Sequence, residues 1–165
     1  REAAGSSLLS AGCHAMDALL YCMGDEYESV HSFGANSSNK DFALYEYSSS
    51  SVSIIKFKNG AVGKVASVID CLQPYYFRFH LIGSEGTLLD NKFYSTKLKS
   101  LDKNRWSELS MKMLDSGDVT DHPYQVQFEV FFNAIDEGRE MPLTSLKDAL
   151  KTHKLIFESD KAMGS

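Results

Sequence analysis

A chain of 165 residues with 43% hydrophobic and 24% charged content can bury one sizeable core and is short for two ordinary domains, so one globular domain is expected. The net charge of −5, with Lys and Arg scattered rather than clustered, argues against nucleic acid or an acidic membrane surface as a partner. No apolar run approaches the roughly 20 residues that cross a bilayer and no secretory leader pattern opens the chain, so a soluble, cytoplasmic protein is expected.

Ser7 to Gly24, SLLSAGCHAMDALLYCMG, reads as an amphipathic helix. At 100° per residue Ser10, His14, Asp17 and Tyr21 fall within roughly 60° of one another, while Leu8, Leu9, Gly12, Met16, Leu19, Leu20 and Met23 take the opposite side. Hydroxyl, imidazole, carboxylate and phenol on one face make a candidate active-site wall, although on periodicity alone a solvated polar face is the plainer reading. A stop is predicted near Met23, where Gly24 supplies the left-handed residue that commonly follows a helix. Cys13 and Cys22 read as packing residues of this helix.

Glu28 to Gly34 alternates as a strand would, and Ala35 to Asp41, rich in Asn and Ser, reads as a loop. The serine run Ser48 to Ser51 continues into a strand rather than forming a linker. Ser51 to Ile69 is a hairpin in which Asn59-Gly60 suits a type I′ turn. Tyr75 to Ile82 is a further strand, and Gly83-Ser84-Glu85-Gly86 turns the chain into Thr87 to Leu89, its glycines relieving backbone strain. Lys97 to Leu101 and Trp106 to Met113 are candidate edge strands, for about six strands in all. Two helices close the chain. Pro123 suits the opening turn of the first, Phe128, Phe131, Phe132 and Ile135 repeat at helical spacing, and Gly138 ends it. Thr144 or Ser145 caps the second, whose apolar stripe is Leu146, Ala149, Leu150, His153, Ile156 and Phe157. The fold class is α+β: an open, mostly antiparallel sheet with helices packed on one face.

The chain contains no Gly-x-Gly-x-x-Gly after a strand and no Gly-x-x-x-x-Gly-Lys-Ser/Thr loop, hence no phosphate cradle of its own. Nucleophile elbows and His-Glu-x-x-His pairs are also missing, and three cysteines without Cys-x-x-Cys spacing suggest neither a disulfide framework nor a metal site.

GSSLLSAGCHAMDALLYCMG, the hairpin core IIKFKNGAVGKV, the turn LIGSEGTLLD and the tail FEVFFNAIDEGREMPLTSLKDALKTHKLIFES together resemble the C-terminal domain of the glucose-fructose oxidoreductase / inositol dehydrogenase / rhizopine-catabolism (Gfo/Idh/MocA) family. The four blocks occur in family order over nearly the whole chain. The resemblance implies that residues 1–165 are a single substrate-binding and oligomerisation domain of a two-domain enzyme. NAD or NADP would be bound mainly by an N-terminal Rossmann domain that this sequence does not include. The implied reaction is hydride transfer between nicotinamide and a sugar, cyclitol or related substrate, and the implied self-association is a homo-oligomer formed through the sheet.

The family's acid-base motif in this helix is an Asp followed four residues later by a His. His14 matches, but Ser10 stands where the Asp would be and cannot act as a carboxylate base. His14 is therefore the candidate for proton transfer, because an imidazole titrates near neutrality; orienting substrate is its alternative role. Ser10, Asp17, Tyr21 and His122 are candidate substrate contacts. Asp17 either sets the His14 tautomer or belongs to a solvated face, and His122 lies either at a pocket rim or at a helix entry. His31, His80 and His153 sit in strand or apolar-helix patterns and are not expected to do chemistry. Ser10 in place of the acid also motivates a reading from another class, a non-catalytic sugar-binding or scaffold protein of the same architecture.

Overall fold

The structure, a computed structural model, describes residues 5–73, 77–110, 122, 124–142 and 144–164. It has the expected α+β class, and among the described residues seven strands pair as two antiparallel sheets of three and four strands rather than as one of about six. The chain divides into two compact units, one of Arg1–Leu72 with Tyr124–Ser165 and the other of Gln73–Pro123.

The first unit opens with a π-helical turn, Leu8–Gly12, that runs directly into α1, Cys13–Met23. Gly12 stands at the junction because the backbone passes close to a neighbouring strand. A Cβ there would lie 3.0 Å from both the Leu8 Cδ2 and the Ser67 Cβ. α1 stops as expected: Gly24 has φ +89° and donates its N–H to the Leu20 carbonyl at 2.8 Å.

Strands β1 (Tyr27–Ala35), β2 (Ser50–Phe57) and β3 (Val62–Val68) form a meander in that order. Alternation on β2 buries Ser51, Ser53, Ile55 and Phe57 and turns Val52 and Ile54 outward. The β2–β3 turn lies at Asn59-Gly60 but is not type I′, which needs positive φ at both central residues. Only Gly60 is left-handed, the Gly60 N–H donates to the Phe57 carbonyl at 3.0 Å, and the Phe57 N–H donates to the Ala61 carbonyl at 2.9 Å. This is a three-residue loop, a type I turn closed by a left-handed glycine. Asn59 keeps ordinary φ because its side chain is engaged: Nδ2 donates to the Met23 carbonyl and Oδ1 accepts from the Ala61 N–H.

The core lies on one face of this sheet, where Ile55, Phe57 and Val65 meet Leu8, Met16 and Leu20, together with Leu155 and Ile156 from the last helix. That helix, α3, spans Leu146–Met163, and its cap is Ser145, whose hydroxyl accepts from the Asp148 N–H at 3.1 Å. Its buried residues are Thr152, Leu155, Ile156 and Ser159. The stripe expected to be buried is therefore mostly the wrong one: Leu146, Leu150, His153 and Phe157 are exposed, and of the expected set only Ile156 enters the core. The phase of α3 that is buried is half polar, and Thr152 and Asp160 on that side meet polar groups on α1 and its leading turn. Helix α2, Tyr124–Asp136, buries only Ala134 and leaves Phe128, Phe131 and Phe132 exposed against one another; Pro123, its expected opening residue, lies outside the described residues. Gly138, at φ +62°, follows this helix as expected.

The second unit is a meander of β4 (His80–Gly83), β5 (Gly86–Leu89), β6 (Lys92–Ser95) and β7 (Ser107–Glu108). Of the strand expected over Tyr75 to Ile82, Tyr75 and Tyr76 lie outside the described residues, and pairing begins at His80. Lys97 to Leu101 is not a strand; the pairing falls earlier, on Lys92–Ser95. From Trp106 to Met113 only Ser107–Glu108 pairs, and Met111 to Met113 lie outside the described residues. Gly83 and Gly86 do not relieve strain, since neither has positive φ; at Gly86 the constraint is space, because a Cβ would lie 2.6 Å from the Tyr94 carbonyl oxygen.

Candidate functional site

His14, Asp17 and Tyr21 lie on the exposed side of α1, Tyr21 at 91% exposure. Ser10 is exposed as well but belongs to the π-helical turn, where the i→i+5 pattern departs from the 3.6-residue period used to stack it above His14. Its side chain is hydrogen-bonded to the phenol of Tyr45. Burial pushes the Tyr45 phenol up, and the Ser10 hydrogen bond partly offsets that. Tyr45 donates in turn to the Gly5 carbonyl and packs edge-on to Phe42 and Tyr47, with ring centroids 5.9 and 6.1 Å away.

Three contacts from α3 hold this segment from behind. The Thr152 hydroxyl donates to Asp17 Oδ1 at 2.6 Å. Lys151 pairs with Asp25, just past the end of α1, at 2.6 Å, and its ammonium holds the Asp25 carboxyl below the usual carboxylate range. Near the other end of α3, Asp160 Oδ2 accepts from the Ser6 hydroxyl at 2.6 Å, and Ser6 Oγ also caps the Leu9 N–H at 3.1 Å. The two helical segments thus run antiparallel, residues 151 and 152 of α3 beside the end of α1 and residue 160 beside its beginning. Burial raises the Asp160 carboxyl above its ordinary range, and its Oδ1 is a buried oxygen with no hydrogen-bond partner among the described residues.

Of the expected site residues, the structure gathers His14, Asp17 and Tyr21 on one face of α1 and sets Ser10 on the adjoining turn against Tyr45. His122 falls in the second unit and is half-buried. Cys13 packs against the core as expected, whereas Cys22 is exposed, because its place on α1 follows Tyr21 on the outward side. His31 and His80 are exposed on β1 and β4, and the His153 ring bonds the Ala149 carbonyl at 2.8 Å. Sequence reasoning missed Thr152 and Tyr45. The signal for Thr152 was a hydroxyl residue in phase with Leu155, Ile156 and Ser159 on a helix face that is buried.

A groove of about 760 Å³ between α2 and the start of α3 is lined by Phe128, Phe131, Met141, Leu146 and Leu150 with polar and charged neighbours such as Glu140 and Lys147, and includes none of these site residues. Among the described residues, no helix is long and apolar enough to cross a membrane.

Residues 1–89 match a family profile described as GFO/IDH/MocA C-terminal domain. Solved structures share the fold. A probable dehydrogenase from Thermotoga maritima matches with TM-score 0.72 at 19% identity, over 98% of this chain and 48% of its own. The UDP-N-acetylglucosamine 3-dehydrogenase GnnA from Acidithiobacillus ferrooxidans matches with TM-score 0.69 at 14% identity, over 94% of this chain and 46% of its own. The WlbA dehydrogenase from Bordetella pertussis, in complex with NADH and UDP-GlcNAcA, matches with TM-score 0.65 at 17% identity, over 97% of this chain and 43% of its own. The chain therefore spans about half the length of the solved structures it resembles. No curated protein sequence matches it.

Proposed function

The chain belongs to the Gfo/Idh/MocA C-terminal domain family, and from that premise we propose that it is the substrate-binding and oligomerisation half of an NAD(P)-dependent oxidoreductase acting on a sugar, cyclitol or related hydroxy or carbonyl compound. The observation that supports this reading is the exposed face of α1, where His14 and Asp17 lie one turn apart and the Asp17 carboxylate is held from behind by a buried hydroxyl. The dinucleotide does not fit this chain by itself. Its strand pairs are all antiparallel among the described residues, and no glycine-rich strand-to-helix turn offers N–H groups to a pyrophosphate. The nicotinamide belongs to an N-terminal Rossmann domain outside this sequence, and the protein acts in the cytoplasm.

Within this chain the remaining chemistry is substrate binding and proton transfer. A ring nitrogen of His14 takes the proton of the substrate hydroxyl that becomes a carbonyl, or returns it in the reverse direction. Asp17 and Tyr21 bind neighbouring hydroxyls, and the Ser10–Tyr45 pair contributes a neutral edge where the family motif carries a carboxylate. His122 is a further candidate substrate contact. The exposed face of the three-stranded sheet, with Val52, Ile54, Val62 and Val68 uncovered, is the proposed self-association surface.

The full-length protein is titrated with NADH and NADPH by nicotinamide fluorescence, and UDP-N-acetylglucosamine is offered as substrate within a panel of sugars and polyols. Binding of one nucleotide, with turnover lost in His14→Ala, is expected. Turnover that survives His14→Ala sinks the proton-transfer role. A full-length protein that binds neither nucleotide supports the second reading, a non-catalytic sugar-binding or scaffold protein, which the serine at position 10 favours.

A further inference from the structure

Thr152 is 4% exposed and lies on the face of α3 that enters the core beside Leu155, Ile156 and Ser159. At such a place valine would have the same shape without a hydroxyl to desolvate, and an unmet buried hydroxyl is costly. Here the hydroxyl is met. Its one proton has a short path to Asp17 Oδ1, 2.6 Å away, and a much weaker one to the Asp148 carbonyl at 3.5 Å. The shorter distance is that of a charge-assisted O–H···O⁻ bond. Lys151, the preceding residue, is occupied with Asp25 and Asp148 and does not compete for Asp17.

We infer that Thr152 is a positioning residue of the α1 site: its buried hydroxyl selects one orientation of the Asp17 carboxylate and so presents it in register with His14. Asp17 is otherwise an exposed helical side chain with several rotamers open to it. A fixed donor at Oδ1 gives that carboxylate a set place on the helix face that Asp17 shares, at a spacing of three residues, with His14. The inference rests on the proposed function in treating the His14–Asp17 face as the working one. The hold of Thr152 on Asp17 is tested without that assumption.

The test uses the full-length protein with histidine rings isotope-labelled, the His14 signal being identified by its disappearance in His14→Gln. Thr152→Val, Thr152→Ser, Asp17→Ala and the Thr152→Val/Asp17→Ala double variant are compared by the His14 ring signal and by thermal melting. Thr152→Val is expected to displace the His14 signal by more than its linewidth, Thr152→Ser to restore it, and the double variant to look like Asp17→Ala alone. The melting shifts of the two single variants are expected to be non-additive, as they are for partners in one bond. A Thr152→Val protein whose His14 signal overlays that of the parent overturns the inference even if it melts lower, since the hydroxyl would then serve stability only. Additive melting shifts overturn it too. Turnover that survives His14→Ala would overturn the proposed function instead, and leaves the ring signal free to report on Thr152.

Discussion

Ile54 and Ile55 are adjacent on β2 and chemically identical, yet Ile54 is 42% exposed and Ile55 0% exposed. Truncating each to alanine isolates the effect of the face. At position 55 the change removes three buried carbons, about 2.4 kcal/mol at about 0.8 kcal/mol each. The cavity left among Leu8, Phe57 and Leu155 adds to this, bringing the loss into the range of about 2–5 kcal/mol. At position 54 the side chain loses only part of its contact and leaves no enclosed cavity, so the expected cost is under about 1 kcal/mol. Urea unfolding of the full-length variants, followed by far-UV circular dichroism at low protein concentration, measures both. The low concentration matters because Ile54 belongs to the proposed self-association face. Equal losses, or a larger loss at position 54, would refute the facing of β2, since a one-residue slip in register exchanges the two residues.

Three further outcomes are expected. Gly12→Ala gains about 1 kcal/mol of helix propensity but places a Cβ 3.0 Å from Leu8 and Ser67, at an overpacking cost of about 1–3 kcal/mol; because Ser67 is tied to the Ser7 carbonyl at 2.9 Å and cannot easily withdraw, a lower melting temperature is expected, and an unchanged or higher one would show that the turn has room. Asp160→Asn should gain on the parent as pH rises. The folded carboxyl is raised above its unfolded value near about 3.9, so the stability it lends is full below that pH and is lost as pH rises through the folded value; parallel melting curves for the two proteins across pH would refute this. Ile54→Lys should shift sedimentation of the full-length protein toward a smaller species by placing charge on the open sheet face, and a strict monomer before and after would remove that face as an interface.

Where the structure agrees with the sequence, the cause spans only a few residues. Gly24 and Gly138 end their helices, Ser145 caps α3, and β2 alternates in and out, because each feature depends on backbone angles or a bond closed within about one turn. His14, Asp17 and Tyr21 share a face for the same reason, since helical spacing alone aligns them. Even the hairpin was visible in Asn59-Gly60, while its turn type was not: Asn59 spends its side chain on the Met23 carbonyl, 36 positions away.

The features decided by tertiary structure all depend on partners distant in the chain. α3 carries its more apolar stripe on Leu146, Ala149, Leu150, Ile156 and Phe157, and periodicity favours that one; what selects the half-polar Thr152, Leu155, Ile156 and Ser159 phase is a core contributed by β2 and α1, with Asp17 meeting the Thr152 hydroxyl across 135 positions. The π-helical turn that carries Ser10 away from the regular stripe passes close to Ser67 on β3, and the division into two sheets reflects which strands find edges to pair with. Composition, periodicity and caps determined that this chain would make helices and antiparallel strands and where several would end. Burial, which costs or rewards a side chain only when a partner is already in place, decided which faces meet and which groups surround the proposed site.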